Sequence, residues 1–185
     1  MIYDKIISGR YVDLRSATLD DAEFTLSIRL DPEIRKCFPP FEGTLETQKA
    51  WLTSQMQKDN DYFFVVIEKS TGERIGTVSV YDIDFEKRDA ETGRYVIKSE
   101  NPIIVAEVML LLHKFVFEEL DLQKIHGFVL SHNKRAIRLN KFFGATFSSE
   151  IIDEKNNIPV FQTKLLRENF QKVASKISKY IYTEK

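Results

Sequence analysis

The middle of the sequence carries a polar turn, KSENP at 98–102, between two segments of different character. The segment before it, 91–97, contains aromatic and β-branched residues, and the segment after it, 103–117, is almost entirely apolar. This order predicts a strand, a turn and a buried helix. The unpaired amides and the dipole at the start of such a helix favour a phosphate or pyrophosphate. The pattern therefore suggests a phosphate-bearing cofactor, with an ordinary buried strand and helix as the alternative.

The cysteines and histidines give no indication of disulfide or metal chemistry. Cys37 is the only cysteine in the sequence, so no intrachain disulfide can form, and no Cys/His set has the spacing of a zinc site. The three histidines, His113, His126 and His132, fall on different predicted elements. We therefore expect no metal site, and the cysteine content predicts a reducing compartment.

The composition is that of an ordinary soluble protein. The 185 residues are 43% hydrophobic and 30% charged, with a net charge of -1. This length suits one domain, here 1–185, with layers on both sides of a sheet. The balanced charge gives no reason to expect a nucleic-acid partner. No apolar signal segment is present and the longest apolar run, at 108–112, is short, so we expect a cytoplasmic protein without a membrane partner.

Cap and turn signals divide the first half of the chain. Thr18 to Asp21 has the form of a capping box and predicts a helix that runs to about Leu30. A second helix, at 44–59, has one apolar face, and the turn that ends at Gly72 predicts a β-hairpin. The predicted strands of this half are 11–15, 62–68, 74–84 and 91–97.

The second half is predicted to close the sheet. A strand at 124–130 follows the apolar helix, and this connection makes it parallel to the strand at 91–97. A short helix at 134–143 ends at Gly144 as its C-cap. A closing hairpin follows, with strands at 146–152 and 160–166. The last segment, 168–183, has helical spacing of apolar residues and is either an interaction arm or, as we favour, a helix docked on the domain.

Four segments together resemble the GNAT N-acetyltransferase superfamily over about residues 10–166. The most specific is Asn-x-x-Ala-Ile-x-Leu, which starts at Asn133 and is followed after four residues by Gly144. The others are YVDLR with ATLDDA at 11–22, ERIGT at 73–77 and ETGRYVI at 91–97. The chain is most similar to the branch of ribosomal-protein N-terminal acetyltransferases and amino-sugar acetyltransferases.

The resemblance implies an α/β fold with about seven mostly antiparallel strands, flanking helices and a central parallel pair that splays apart to admit acetyl-CoA. The family's pyrophosphate loop corresponds to 98–106, where Asn101 and Ile103 stand at glycine positions and Pro102 has no N–H. The implied cofactor-binding residues are Ile97, Lys98, Ser99, Asn101, Ile104, Val105, Ala106, Asn133 and Asn140. Because this loop departs from the family pattern, the alternative is a non-catalytic GNAT-fold binding protein that uses its C-terminal helix as an arm.

The resemblance also implies catalytic residues. An alkyl ammonium has a pKa of about 10, so acetyl transfer to an amine needs a base, for which a carboxylate is suitable. Glu91 matches the base of the family, and Asp82 and Asp84 are further candidates. Asn133 matches an asparagine that hydrogen-bonds cofactor or substrate, although an asparagine that caps the next helix has the same appearance in sequence.

Two further roles follow from the same resemblance. A backbone N–H near Ile97 or Lys98 is expected to polarise the reacting carbonyl, because a splayed strand leaves it unpaired. Many relatives use a tyrosine to protonate the departing thiolate where this chain has Asn140. In this chain, solvent or Ser131 would then have to supply the proton for the thiolate.

The sequence gives less specific signals for the residues that would bind the amine acceptor. Arg29 and Arg35 are candidates to clamp an anionic substrate, and Tyr81 is the third candidate substrate-binding residue. Glu107 is interpreted as a carboxylate near the helix N-terminus that satisfies local donors. We favour the amine of a small molecule, such as a nucleotide-linked amino sugar, over a protein N-terminus, because the composition indicates no basic surface for the ribosome. The sequence leaves homodimer formation open.

Overall fold

Eight strands form one mixed sheet in a computed structural model of the chain, which describes residues 1–36, 41–154 and 157–183. The strands are β1 (Ile7–Ser8), β2 (Val12–Ser16), β3 (Tyr62–Glu68), β4 (Arg74–Asp84), β5 (Asp89–Ile97), β6 (Lys124–Leu130), β7 (Thr146–Asp153) and β8 (Ile158–Leu166). Their spatial order is β1-β2-β3-β4-β5-β6-β8-β7. All neighbours are antiparallel except β5 and β6. The predicted mixed sheet with one central parallel pair is confirmed.

Helices cover both faces of this sheet. They are α1 (Ala22–Leu30), α2 (Pro32–Arg35), α3 (Leu45–Met56), α4 (Pro102–Lys114), α5 (Lys134–Phe142) and α6 (Arg167–Tyr182). On one face, Leu52 of α3 packs with Phe63 and Val65 of β3. On the other, α4 and α6 pack on a larger core that includes Phe64 of the same strand. Alternate residues of one strand therefore fill two separate cores.

Most predicted element boundaries agree with the structure within a few residues, and the differences have local causes. The strand that was not predicted, β1, has only two residues and is too short to give a periodic signal in the sequence. The apolar helix does not stay α-helical to residue 117, because it ends at Lys114 and continues as a π-helical turn over Phe115–Glu119. The predictions concerning Cys37, the loop before residue 41 and the tip of the closing hairpin fall on or next to residues outside the described ranges.

The C-terminal helix is docked, as we favoured. Phe170, Ile177 and Ile181 of α6 are almost fully buried and belong to the core beneath α4. Gly144, which ends α5, has a φ of 87° and approaches the backbone of Asn169 in α6. A side chain at that position would be strained by its φ, so glycine is required there.

Glu107 corrects the sequence interpretation, because its carboxylate does not satisfy donors of its own helix. It is fully buried and accepts hydrogen bonds from the backbone N–H groups of Arg10 at 2.7 Å, Tyr11 at 2.8 Å and Val12 at 3.0 Å. These donors precede it by about a hundred residues in the chain. The carboxylate therefore ties α4 to the start of β2.

His113 of α4 is buried in an aromatic part of the core. Its ring lies 5.1 Å from that of Phe143 and 5.5 Å from that of Phe170, and Nδ1 has no hydrogen-bond partner among the described residues. Burial lowers the pKa of His113 to about 3. The unfolded chain, with a histidine pKa near 6.5, therefore binds more protons than the folded chain between about pH 6.5 and pH 3. Stability falls as the pH decreases through this range.

We expect His113→Leu to reduce this acid sensitivity. Between pH 7 and pH 5 the histidine alone accounts for a loss of about 2 kcal/mol in the free energy of unfolding. Urea unfolding at both pH values should show a difference smaller by that amount in the variant. The variant should be no less stable than the wild type at pH 5. An unchanged difference would contradict the buried neutral imidazole.

No helix among the described residues combines the length and the apolar character needed to span a membrane.

Candidate active site

The parallel strands β5 and β6 are paired over only three residues each and then separate. The three register pairs are Asp89–Lys124, Ala90–Ile125 and Glu91–His126. Just beyond them the register between β4 and β5 shifts, and Arg94 there has a φ of 50°. Such a bulge bends a strand. The bend agrees with the loss of pairing and leaves a gap between the two strands.

A cavity of about 950 Å³ occupies this gap. The predicted site residues that line it are Arg29, Tyr81, Glu91, Ile97, Lys98, Ser99, Val105, Asn133 and Asn140. The predicted site residues that do not line it are Arg35, Asn101, Ile104 and Ala106. The structure thus brings most of the candidates to one cleft.

Glu91 and Tyr81 form a hydrogen-bonded pair at the point where the strands separate. The Tyr81 hydroxyl donates to Oε1 of Glu91 at 2.6 Å. Burial raises the pKa of Tyr81, and the neighbouring Glu91 raises it further. Tyr81 is therefore a stable donor that orients the carboxylate and keeps its own proton.

Arg94 packs against the Tyr81 ring of this pair and was not predicted as a site residue from the sequence. Its guanidinium lies 4.4 Å from the centroid of the Tyr81 ring and 5.2 Å from that of Trp51 in α3. It donates two hydrogen bonds to Asp61, at 2.7 and 3.0 Å, and Asp61 is 2% exposed. Two-point pairing with a buried carboxylate fixes the guanidinium plane, so Arg94 is a rigid support for Tyr81.

The alternative bases lie outside the cleft. Asp82 is exposed and has a φ of 49°. Asp84 accepts hydrogen bonds from the backbone N–H and the ammonium of Lys87 in the turn after β4. Neither residue lines the cavity. Of the three carboxylates considered, Glu91 alone faces the gap.

The expected free N–H lies at Ile97 and not at Lys98. The Lys98 N–H donates to the carbonyl of Ile75 at 2.7 Å, so it is already paired. Hydrogen-bonded and non-hydrogen-bonded pairs alternate along an antiparallel ladder, so the N–H of Ile97, opposite Gly76, points away from β4. It therefore points to the side of the gap.

The start of α4 offers fewer amides than predicted. Asn101 caps the helix, because its Oδ1 accepts from the Ile103 N–H at 3.0 Å. The Val105 N–H donates to the Asn101 carbonyl at 3.2 Å, which corrects the expectation that it is free. Pro102 has no N–H. In the first turn, this leaves the N–H of Ile104 for an anion.

Cations beside the turn compensate for the missing amides. Lys98 lines the cleft with its ammonium 3.2 Å from Asp31. Arg135, in the first turn of α5, donates to the carbonyl of Ser99 at 2.8 Å and also lines the cleft. Arg135 was not predicted as a site residue, although it lies inside the motif that starts at Asn133. A helix start with two adjacent cations fits a pyrophosphate group.

Asn133 and Asn140 both stabilise α5. Oδ1 of Asn133 caps the helix by accepting from the Ala136 N–H at 3.0 Å, and Nδ2 of Asn140 donates to the Ala136 carbonyl at 3.0 Å. The capping interpretation of Asn133 is therefore observed. Since both side chains also line the cleft, the Asn133 amide NH₂ and the Asn140 carbonyl are the groups left for a ligand.

The two arginines proposed as a clamp do not act on one cavity. Arg29 lines the cleft and lies 4.5 Å from the centroid of the Phe41 ring. Burial lowers its pKa, and the nearby Arg94 lowers it further. Arg35 instead donates to the Phe41 carbonyl at 3.4 Å and does not line the cavity. Within the described ranges, no group of three or more His, Cys, Asp or Glu residues could hold a metal ion.

Comparisons with known proteins agree with this architecture. The Acetyltransferase (GNAT) domain family matches residues 12–146. The "Probable N-acetyltransferase YjcK" of Bacillus subtilis (strain 168) is 29% identical over 163 residues, which cover 82% of this chain and 88% of that protein.

Two solved structures share the fold. The apo form of FdhC, described as a nucleotide-linked sugar GNAT, has a TM-score of 0.79 at 17% identity and covers 98% of this chain and 100% of its own. Spermidine N-acetyltransferase from Vibrio cholerae, in complex with CoA and spermine, has a TM-score of 0.77 at 18% identity. The match covers 88% of this chain and 99% of that one.

The superfamily resemblance inferred from the four sequence segments is confirmed, and the branch within it stays a prediction. The matched family region contains β2 to β6, α4 and α5, which together build the cleft. The fold and the sequence therefore lead to the same assignment: this chain belongs to the acetyltransferase (GNAT) domain family.

Proposed function

We propose that this protein transfers the acetyl group of acetyl-CoA to a primary amine, with Glu91 as the base. The observation that carries the proposal is the Tyr81–Glu91 pair at the point where the parallel strands separate. A fixed carboxylate at the edge of a gap between strands suits proton removal from an amine that enters the gap from one side.

Glu91 and Tyr81 have separate roles in the proton transfer. An alkyl ammonium must lose a proton before its nitrogen can attack a carbonyl. Oε1 of Glu91 already accepts from Tyr81, which leaves Oε2 to take that proton. Tyr81 does not compete for this role, because burial and the neighbouring carboxylate raise its pKa.

The far end of β5 and the start of α5 suit the cofactor. Acetyl-CoA, when bound, supplies an acetyl thioester and a pyrophosphate. The Ile97 N–H is our candidate donor to the acyl oxygen, because it has no partner in β4. Ile97 and Glu91 are up to about 20 Å apart along β5, so water carries the proton from the amine to Glu91. Lys98 and Arg135, which line the cleft, are our candidates for the phosphate oxygens.

For the acceptor, we favour a small-molecule amine such as a nucleotide-linked amino sugar, with a protein N-terminus as the alternative. The structural likeness to a nucleotide-linked sugar GNAT supports this preference at the level of fold. Arg29, half-buried in the cleft wall, is the candidate contact for an anionic part of the acceptor. Cytoplasmic location and homodimer formation remain predictions.

Acetyl-CoA should raise the melting temperature of the protein. A ligand at about 100 times its dissociation constant adds roughly 2.7 kcal/mol of stability, which for a chain of this length raises Tm by about 5–10 °C. Differential scanning fluorimetry with acetyl-CoA, CoA and ATP measures the shift. We expect Arg135→Ala to reduce the shift, whereas Lys134→Ala, at an exposed position that does not line the cleft, should preserve it.

The opposite result would identify the other candidate function. Pro102 and the Asn101 cap remove amides from the phosphate side, and this favours a non-catalytic binding protein. An unchanged Tm with acetyl-CoA at millimolar concentration would support that alternative. A larger shift with ATP than with acetyl-CoA would point away from acyl transfer.

A further inference from the structure

Strands β5, β6, β8 and β7 have one face that no helix covers among the described residues. Ala90, Ile125 and Leu165 point into the core beneath α4. Because side chains alternate along a strand, Glu91, His126 and Lys164 point to the opposite face. On that face α1 and α3 pack against the early strands β2 to β4. The second half of the sheet is therefore open beside Glu91.

This open face contains a second cavity of about 460 Å³. The cavity adjoins the cleft, since Thr163 lines both. It includes His126, which is the register partner of Glu91, and extends to Lys124 and Asp89. Those two residues precede His126 and Glu91 by two positions, which corresponds to about 7 Å along a strand. A molecule with one end at Glu91 therefore reaches the second cavity with its other end.

The polar groups in the second cavity favour an anion. Asp89 is 9% exposed and pairs with Lys124 at 2.5 Å, so one positive charge is already balanced. Lys164 is exposed and makes no ion pair within the described part of the chain. Nδ1 of His126 is buried and, among the described residues, has no hydrogen-bond partner. The residues of the cavity wall thus carry one excess positive charge.

We propose that this cavity is an anion subsite that selects amine acceptors carrying a carboxylate or a phosphate about 10 Å from the amine nitrogen, because Lys164 lies two strands away from Glu91, across His126. The proposal rests on the proposed function, because it takes Glu91 as the point where the amine is held. Lys164 supplies the charge, and His126 lies between the two ends of the acceptor.

The test compares acceptors that differ only in the distal group. The probes are 7-aminoheptanoate, its uncharged amide, and 6-aminohexylphosphonate, which carries a phosphonate on the same alkyl chain. We expect the wild type to prefer the acid over the amide by about 10-fold in kcat/KM, which corresponds to about 1.4 kcal/mol. Lys164→Glu should remove this preference, because the acid loses its cationic partner and the amide never used one. Lys176→Glu, at an exposed position on α6, is the matched control and should keep the preference.

The outcomes separate this proposal from the proposed function. Acetylation of acid and amide at equal rates by the wild type would overturn the anion subsite and leave the acetyltransferase intact. An equal loss for both probes in Lys164→Glu would also overturn it. Failure to acetylate any amine would remove the proposed function and this subsite together. Preference for 6-aminohexylphosphonate over 7-aminoheptanoate would support the subsite and identify a phosphate-type group as the anion.

Discussion

Replacing Glu91 by glutamine should lower kcat/KM for the acceptor amine by about 100- to 10,000-fold. Glutamine keeps the shape of the side chain and its carbonyl accepts from Tyr81, but it cannot take a proton from the ammonium. Steady-state kinetics with a saturating concentration of acetyl-CoA measures the effect. Because the proposed cofactor contacts lie at the far end of β5, after it and in α5, away from Glu91, we expect the acetyl-CoA-induced shift in Tm to remain.

Asp82→Asn is the matched control for this prediction. Asp82 lies on the neighbouring strand, outside the cleft, with a φ of 49° that asparagine also tolerates. It removes one carboxylate, as Glu91→Gln does, and should leave kcat/KM within a factor of about two. If Glu91→Gln transferred acetyl groups as fast as the wild type, Glu91 would not be the base.

Glu107→Gln should destabilise the folded protein by about 3 kcal/mol. The buried carboxylate accepts from the three backbone N–H groups of Arg10, Tyr11 and Val12. A glutamine offers only one acceptor oxygen, and its NH₂ group faces donors, so at least one buried N–H loses its partner. At 2–4 °C per kcal/mol, roughly, Tm should fall by about 6–12 °C.

Glu118→Gln provides the comparison for Glu107→Gln. Glu118 follows on the same helical segment but is exposed, so its substitution should change the free energy of unfolding by less than about 0.5 kcal/mol. Urea denaturation of both variants measures the difference. Equal stability of Glu107→Gln and Glu118→Gln would contradict the role of the carboxylate in tying α4 to β2.

The sequence predicted those parts of the fold that local signals specify. The turn at Gly72 and the apolar helix after Pro102 gave nearly correct elements, because turn chemistry and periodicity act over a few neighbouring residues. The parallel relation of β5 and β6 followed from the helix between them. The superfamily resemblance supplied Glu91, which the structure places in the cleft without testing its role.

The supports of the site were not predictable in the same way. Arg94 and Asp61 are 33 residues apart, and their pairing depends on a bulge that shifts the register of β5. The residue in that bulge with positive φ is Arg94, although the preceding Gly93 would adopt such a φ at lower cost. Glu107 posed the same difficulty, because its donors lie about a hundred residues earlier in the chain. Long-range pairs of this kind leave no periodic trace in a sequence.

The short parallel contact between β5 and β6 makes the cleft a seam between two parts of the sheet. One part is built from residues up to Ile97 and the other from residues after Lys124, and only three register pairs join them. A ligand in the seam contacts both parts at once. Its occupancy should therefore slow amide hydrogen exchange simultaneously in strands that are distant in sequence, so β5 and β6 together would report binding as a single cooperative unit.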